Sequence, residues 1–80
     1  MPTRTVFVKG KGYDRDGQPW FIAEGPHGDV LDFDTKRLIM TINNNYEIFG
    51  LDGAKRYVVQ DGGAIIDLRN GGRCGTFHRW

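Results

Sequence analysis

The sequence predicts an all-β domain, a small antiparallel meander curled into a barrel or a two-layer sandwich. Three observations carry this reading. Twelve of the 80 residues are glycine, about twice the usual share. Many of these glycines stand in pairs such as Asp16-Gly17, Asp52-Gly53, Asp61-Gly62 and Asn70-Gly71, which supply the positive φ that tight hairpin turns need. Between the turns lie eight short runs of β-branched and aromatic residues, spaced by about 8 to 15 residues, the habit of a β-protein.

In chain order the predicted strands are Thr5 to Val8, Trp20 to Glu24, Asp29 to Phe33, Arg37 to Ile42, Tyr46 to Phe49, Arg56 to Gln60, Ala64 to Leu68 and Gly75 to Trp80. Alternation assigns their faces. Leu38, Met40 and Ile42 point one way, and Tyr46 and Ile48 point together with Glu47 outside. In the seventh run Asp67 and Arg69 mark the wet face, so Ala64, Ile66 and Leu68 are expected in the core and Ile65 outside. Trp20 and Phe21 are adjacent and are expected on opposite faces.

One segment has a rival reading. Leu38, Ile39, Ile42, Tyr46 and Phe49 also fit a helical stripe, with Asp34-Thr35 and Gly50 as caps. A helix over about 36–49 would make the fold α+β. Three consecutive asparagines, Thr41 and two isoleucines favour a hairpin there instead. The recurring Asp-Gly pairs read as hairpin chemistry and not as the period of a repeat.

Eighty residues make one compact domain, expected over 1–80, burying about 63% of the surface of the unfolded chain. Composition fits an ordinary globular chain, with 39% hydrophobic and 26% charged residues. No apolar run is long enough for a membrane span or the core of a signal peptide. The single cysteine, Cys74, cannot form a disulfide framework and agrees with a reducing, cytoplasmic setting. Net charge is +1, but unevenly spread: residues 1–12 carry +3, residues 13–34 carry −5, and the rest +3. Such asymmetry orients a partner without reaching the basic footprint of a duplex-binding domain.

Candidate chemistry is sparse. Asp14-Arg15-Asp16-Gly17 has the start of a calcium loop but lacks its later ligands, and reads as a turn joining Tyr13 to Pro19. Asp32 and Asp34, with Asp29 nearby, read as a solvated acidic rim, a surface suited to a basic partner. On a strand Cys74 and His78 would lie about 13 Å apart, too far for a nucleophile and its base. With His27 in a Gly-Pro-His-Gly turn, the chain holds no metal-ligand spacing. Neither an enzymatic activity nor a cofactor is expected.

Binding residues are easier to nominate. Val8-Lys9-Gly10-Lys11-Gly12-Tyr13 interleaves cations with an aromatic. It is similar to the Lys-Gly-aromatic-Gly-aromatic strand of cold-shock and other RNA-binding sheets, with Lys11 where those carry an aromatic. Arg69, Arg73, His78, Arg79 and Trp80 add cations and a terminal indole, and pairing of the first and last strands would merge the two patches. Ten aromatics, Trp20 among them, exceed what one small core must hold, as at a protein-binding surface. The expected function is a small non-enzymatic protein-binding module, an inhibitor or adaptor that occludes a larger partner, or a self-associating chain. The alternative is a nucleic-acid-binding barrel using Lys9, Lys11, Tyr13, Arg73, Arg79 and Trp80. No membrane partner is expected.

Overall fold

The computed structural model describes residues 5–80, in which all regular structure is strand: β1 (Gly10–Asp14), β2 (Pro19–Glu24), β3 (Asp29–Asp32), β4 (Leu38–Ile42), β5 (Glu47–Gly50), β6 (Lys55–Val59), β7 (Ala64–Asp67) and β8 (Arg73–Arg79). Each strand pairs antiparallel with the next. β8 then returns to β1, through Gly10 opposite Arg79 and Lys11 opposite His78, closing a barrel. Closure removes the free edges that an open meander would leave to pair with other chains.

Residues 36–49 form the β4–β5 hairpin and not a helix. The reason is local: the Asn43 side-chain Oδ1 accepts the N–H groups of Asn45 (2.9 Å) and Glu47 (3.1 Å), an Asx turn that competes directly with helical hydrogen bonding. At the N-terminal side the expected strand Thr5 to Val8 is corrected to an irregular strap. Val6 donates to the Pro26 carbonyl at 2.9 Å, and Phe7 donates to the Asn44 side chain at 2.7 Å. Val8 is buried in the core. The first strand is instead the glycine-rich Gly10–Asp14, which poor strand propensity hides from a reading by residue type.

The interior is filled by Phe21, Val30, Ile48 and Ile65, all fully buried, with Val8, Ala23, Met40, Ile42, Val59 and Phe77 around them. Phe21 and Phe77 stack with centroids 6.1 Å apart and planes 22° apart. They meet across β1, whose inward positions are Gly10 and Gly12. A Cβ at Gly12 would overlap the Phe21 ring, and one at Gly10 would overlap the Phe77 ring and the His78 carbonyl.

The chain is also a fourfold repetition of one hairpin. In the ladders β1–β2, β3–β4, β5–β6 and β7–β8 the register shifts after Gly12, Val30, Ile48 and Ile65, nearly evenly spaced positions. Each shift leaves one residue unpaired on the returning strand: Trp20, Ile39, Arg56 and Cys74. The recurring turns are therefore the period of a repeat, contrary to the sequence reading. Alternation fails at these bulges, because an extra residue changes which way the following side chains point. Trp20 and Phe21 do not divide between two faces: Phe21 is fully buried while Trp20 packs on the core beside it, edge-on at 5.0 Å. In β7 the faces are inverted from expectation, with Ile65 fully buried, Asp67 8% exposed and Leu68 43% exposed. Asp67 can face inward because its carboxylate accepts from the Arg69 backbone N–H and guanidinium.

Replacing Gly12 by Ala should destabilise the protein by about 1–3 kcal/mol, the usual cost of forcing an extra methyl into a filled core. Urea unfolding checks this, and adding Phe21→Leu to the Gly12→Ala variant should recover part of the loss, since the pair is in contact.

Candidate functional site

The two ends of the barrel differ chemically. At one end lie the four hairpin tips, between β1 and β2, β3 and β4, β5 and β6, and β7 and β8. Each first strand of a hairpin ends there on an equivalent residue: Asp14, Asp32, Gly50 and Asp67. All three carboxylates organise their own turns, Asp67 by accepting the Arg69 N–H at 2.9 Å. Asp14 Oδ1 accepts the N–H groups of Asp16 and Gln18 at 2.9 and 3.0 Å, and Asp32 Oδ1 accepts those of Asp34 and Thr35 at 2.9 and 3.1 Å. These backbone donors hold the Asp32 carboxyl below its ordinary pKa. At the third tip Asp52 performs the same service for the Ala54 N–H and pairs with Arg56 at 2.8 Å.

The bulged residues ring this mouth. Trp20 lies edge-on to Tyr57 at 5.3 Å, and Trp20, Pro19, Cys74, Asp14, Asp32 and Asp34 surround a notch of about 370 Å³. Burial pushes the Tyr57 phenol and the Cys74 thiol up, with the Asp67 charge acting in the same direction. Cys74 is thus a weakly reactive thiol. It is also separated from His78, whose ring lies edge-on to Tyr13 at 5.3 Å on the outer face of the barrel. Asp32 and Asp34 meet in this notch, whereas Asp29 sits at the far end of β3, opposite Glu24.

The nominated basic and aromatic residues are only partly assembled. Pairing of β1 with β8 brings Lys11 beside His78 and Tyr13 beside Thr76, and Trp80 donates its N–H to the Lys9 carbonyl at 3.0 Å. Lys9, Lys11, Tyr13, His78, Arg79 and Trp80 therefore lie along one pair of strands. Lys11 is already engaged, its ammonium 4.3 Å from the Phe33 ring centroid and 5.1 Å from that of Tyr13. Arg73 stands at the tip end of β8, apart from Arg79 at the other, and is bound to Thr76 Oγ1 at 2.7 Å. Trp20 belongs to the mouth and not to the basic face.

Sequence reading missed the exposed leucines. Leu38 is 45% exposed, Leu51 63% and Leu68 43%, and all three lie at the hairpin-tip end. Leu51 and Leu68 each follow the strand-ending Gly50 or Asp67, so the repeat presents them at equivalent places. The Leu in Gly-Leu-Asp-Gly, placed next to a turn, was the available signal.

Asp32, Glu47 and Asp67 are all held below the ordinary carboxylate pKa: Asp32 by backbone N–H groups, Glu47 first by Lys55, and Asp67 first by the Arg69 side chain. Groups depressed in the folded state contribute stability above their unfolded pKa, about 4, and lose it as pH falls through the native values. The urea midpoint should therefore hold between about pH 7 and 5 and drop below about pH 4. Asp67→Asn should lower the neutral-pH midpoint and flatten that drop. Comparison of the chain with protein-family models, characterised proteins and solved structures finds no match.

Proposed function

We propose that this barrel is a non-enzymatic protein-binding module that engages its partner through the hairpin-tip end. The observation that carries the reading is the grouping of exposed Leu38, Leu51 and Leu68 at that one end. Exposed apolar side chains held on short, hydrogen-bonded turns of a closed barrel lose little entropy on docking, so they serve as anchors. Beside them the notch formed by Trp20 with Asp14, Asp32 and Asp34 offers an indole and carboxylates to a Lys or Arg side chain of the partner. The half-buried thiol of Cys74 lines the notch while His78 packs against Tyr13, an arrangement that favours binding over catalysis. A barrel of this kind would act as an inhibitor or adaptor by covering the surface it binds.

A second reading rests on the pairing of β1 with β8, which lines up Lys9, Lys11, Tyr13 and His78 as a strip suited to single-stranded nucleic acid. The readings separate experimentally. Affinity capture from the native host at about 50 and 200 mM salt should recover one protein at both, since apolar anchoring tolerates salt while phosphate contacts do not. The Leu51→Ser, Leu68→Ser double variant should weaken capture by about tenfold or more with an unchanged unfolding midpoint. Undiminished capture by that variant, or tight and salt-sensitive binding of labelled oligonucleotides that is lost in Lys11→Ala, would overturn the proposal.

A further inference from the structure

Among the described residues, the end of the barrel opposite the hairpin tips is only partly closed. The Thr5–Val8 strap covers the side nearest the β2–β3 and β4–β5 turns, where Val6 bonds Pro26 and Phe7 bonds Asn44. A cleft of about 420 Å³ remains between Tyr46, the Gln60–Gly63 turn and the end of β8, with the core residues Val59 and Phe77 among its walls. That is the size of a small-molecule pocket, and its lining is more polar than apolar, with Val59 and Phe77 only slightly exposed in its floor.

Tyr46 marks this cleft as more than a gap. Three residues at this end occupy equivalent places in the repeat: Gly28, Tyr46 and Gly63 accept backbone hydrogen bonds from Ile42, Val59 and Phe77 at 2.8, 2.9 and 2.7 Å. All three have positive φ, at 77°, 62° and 92°. Gly28 and Gly63 have no room for a Cβ, which would overlap the Ile42 and Phe77 carbonyls. The chain nevertheless sets a bulky aromatic in the left-handed region at the third place, a conformation such residues rarely adopt. Its ring packs edge-on to Phe77 at 6.3 Å, and its hydroxyl accepts a hydrogen bond from an Arg79 guanidinium nitrogen at 3.2 Å. A phenylalanine would supply the same packing. The hydroxyl adds a fixed position for Arg79, which makes no ion pair among the described residues and keeps most of its N–H groups free.

We infer that this cleft binds a small planar carboxylate, with its ring against Tyr46 and its charge on Arg79. Arg79 presents a fork that matches a carboxylate in two parallel hydrogen bonds. The Tyr46 hydroxyl, having accepted from Arg79, retains its own proton to donate. Asp61 on the rim favours a singly charged ligand over a doubly charged phosphate. The site is independent of the hairpin tips and stands or falls apart from the protein-binding reading.

The test is an NMR titration of the ¹⁵N-labelled protein with benzoate, phenyl phosphate and benzyl alcohol. Benzoate should shift the amides of Tyr46, residues 60–63 and residues 77–79, while benzyl alcohol binds about tenfold more weakly or worse. Phenyl phosphate should fall behind benzoate. Arg79→Met should abolish the response, and Tyr46→Phe should weaken it several-fold with the unfolding midpoint unchanged. Asp61→Asn should strengthen binding and narrow the gap to phenyl phosphate. Equal binding of benzyl alcohol, benzoate shifts that map elsewhere or do not appear at millimolar concentration, or indifference to Arg79→Met would each overturn the inference.

Discussion

The interior of an eight-stranded barrel is only wide enough for its own side chains, and here the tightest point is the stack of Phe21 on Phe77 across β1. Two rings of that size fit because β1 turns Gly10 and Gly12 inward, leaving space where other strands place Val30, Ile48 or Ile65. The glycines weaken β1 as an isolated strand. Closure compensates, since β1 is held on both sides, by β2 and by β8. The same two glycines explain why Lys9, Lys11 and Tyr13 share the outer side of the chain: the alternation Lys-Gly-Lys-Gly-Tyr is one of packing first and of charge second.

Around that stack the molecule is four versions of one hairpin, and its chemistry lies where the versions differ. Most hairpin tips place glycine at the left-handed position of the turn, as at Gly17, Gly53 and Gly71, but the β3–β4 tip uses Lys36 at φ 60°. Its ammonium reaches back over the Phe33 ring at 4.5 Å and bonds the Phe33 carbonyl. The bulge position holds Trp20, Ile39 and Cys74 against the core, but Arg56 in the third hairpin turns to Asp52 instead. At the opposite end Tyr46 stands where Gly28 and Gly63 stand in its neighbours. A repeat fixes what the backbone needs, so a residue that departs from it at a conformational cost is present for its side chain.

The parts of this architecture that were legible in the sequence are those with a local cause. The Asp-Gly and Asn-Gly turns and the Asn43-Asn44-Asn45 reversal follow from turn chemistry confined to a few residues, and the all-β barrel follows from their number. The bulges have no such local signature. A register shift depends on how the partner strand is spaced, so the joint packing of Trp20 and Phe21, and the inward face of Ile65 and Asp67, could not be read by counting alternate residues. Asp67 misled for a further reason: a carboxylate was read as wet when its own turn, through Arg69, satisfies it at the mouth of the barrel. Of the nominated site residues, the pairing of β1 with β8 unites most, while Arg73 and Trp20 fall elsewhere because strand direction separates one and a bulge diverts the other.

The two ends of the barrel share one frame yet have unequal means of recognition. At the tips the turns are short and fastened by Asp14, Asp32, Asp52 and Asp67. Beside the acids and the exposed Arg15, Lys36, Arg37 and Arg69 they present Leu38, Leu51 and Leu68, a mixture that suits a broad and mostly rigid protein surface. At the other end the strap leaves a concave opening over Phe77, with Arg79 steadied by Tyr46, which suits a small ligand enclosed on several sides. Because the strands that carry both ends run the length of the same closed sheet, a ligand that orders the Tyr46 and Gln60–Gly63 turns adds its binding energy to the stability of the whole barrel. The hairpin tips are already tied by their own hydrogen bonds. Occupancy of the cleft would thus raise stability without reshaping the hairpin tips, and the two proposed roles are compatible in one small barrel.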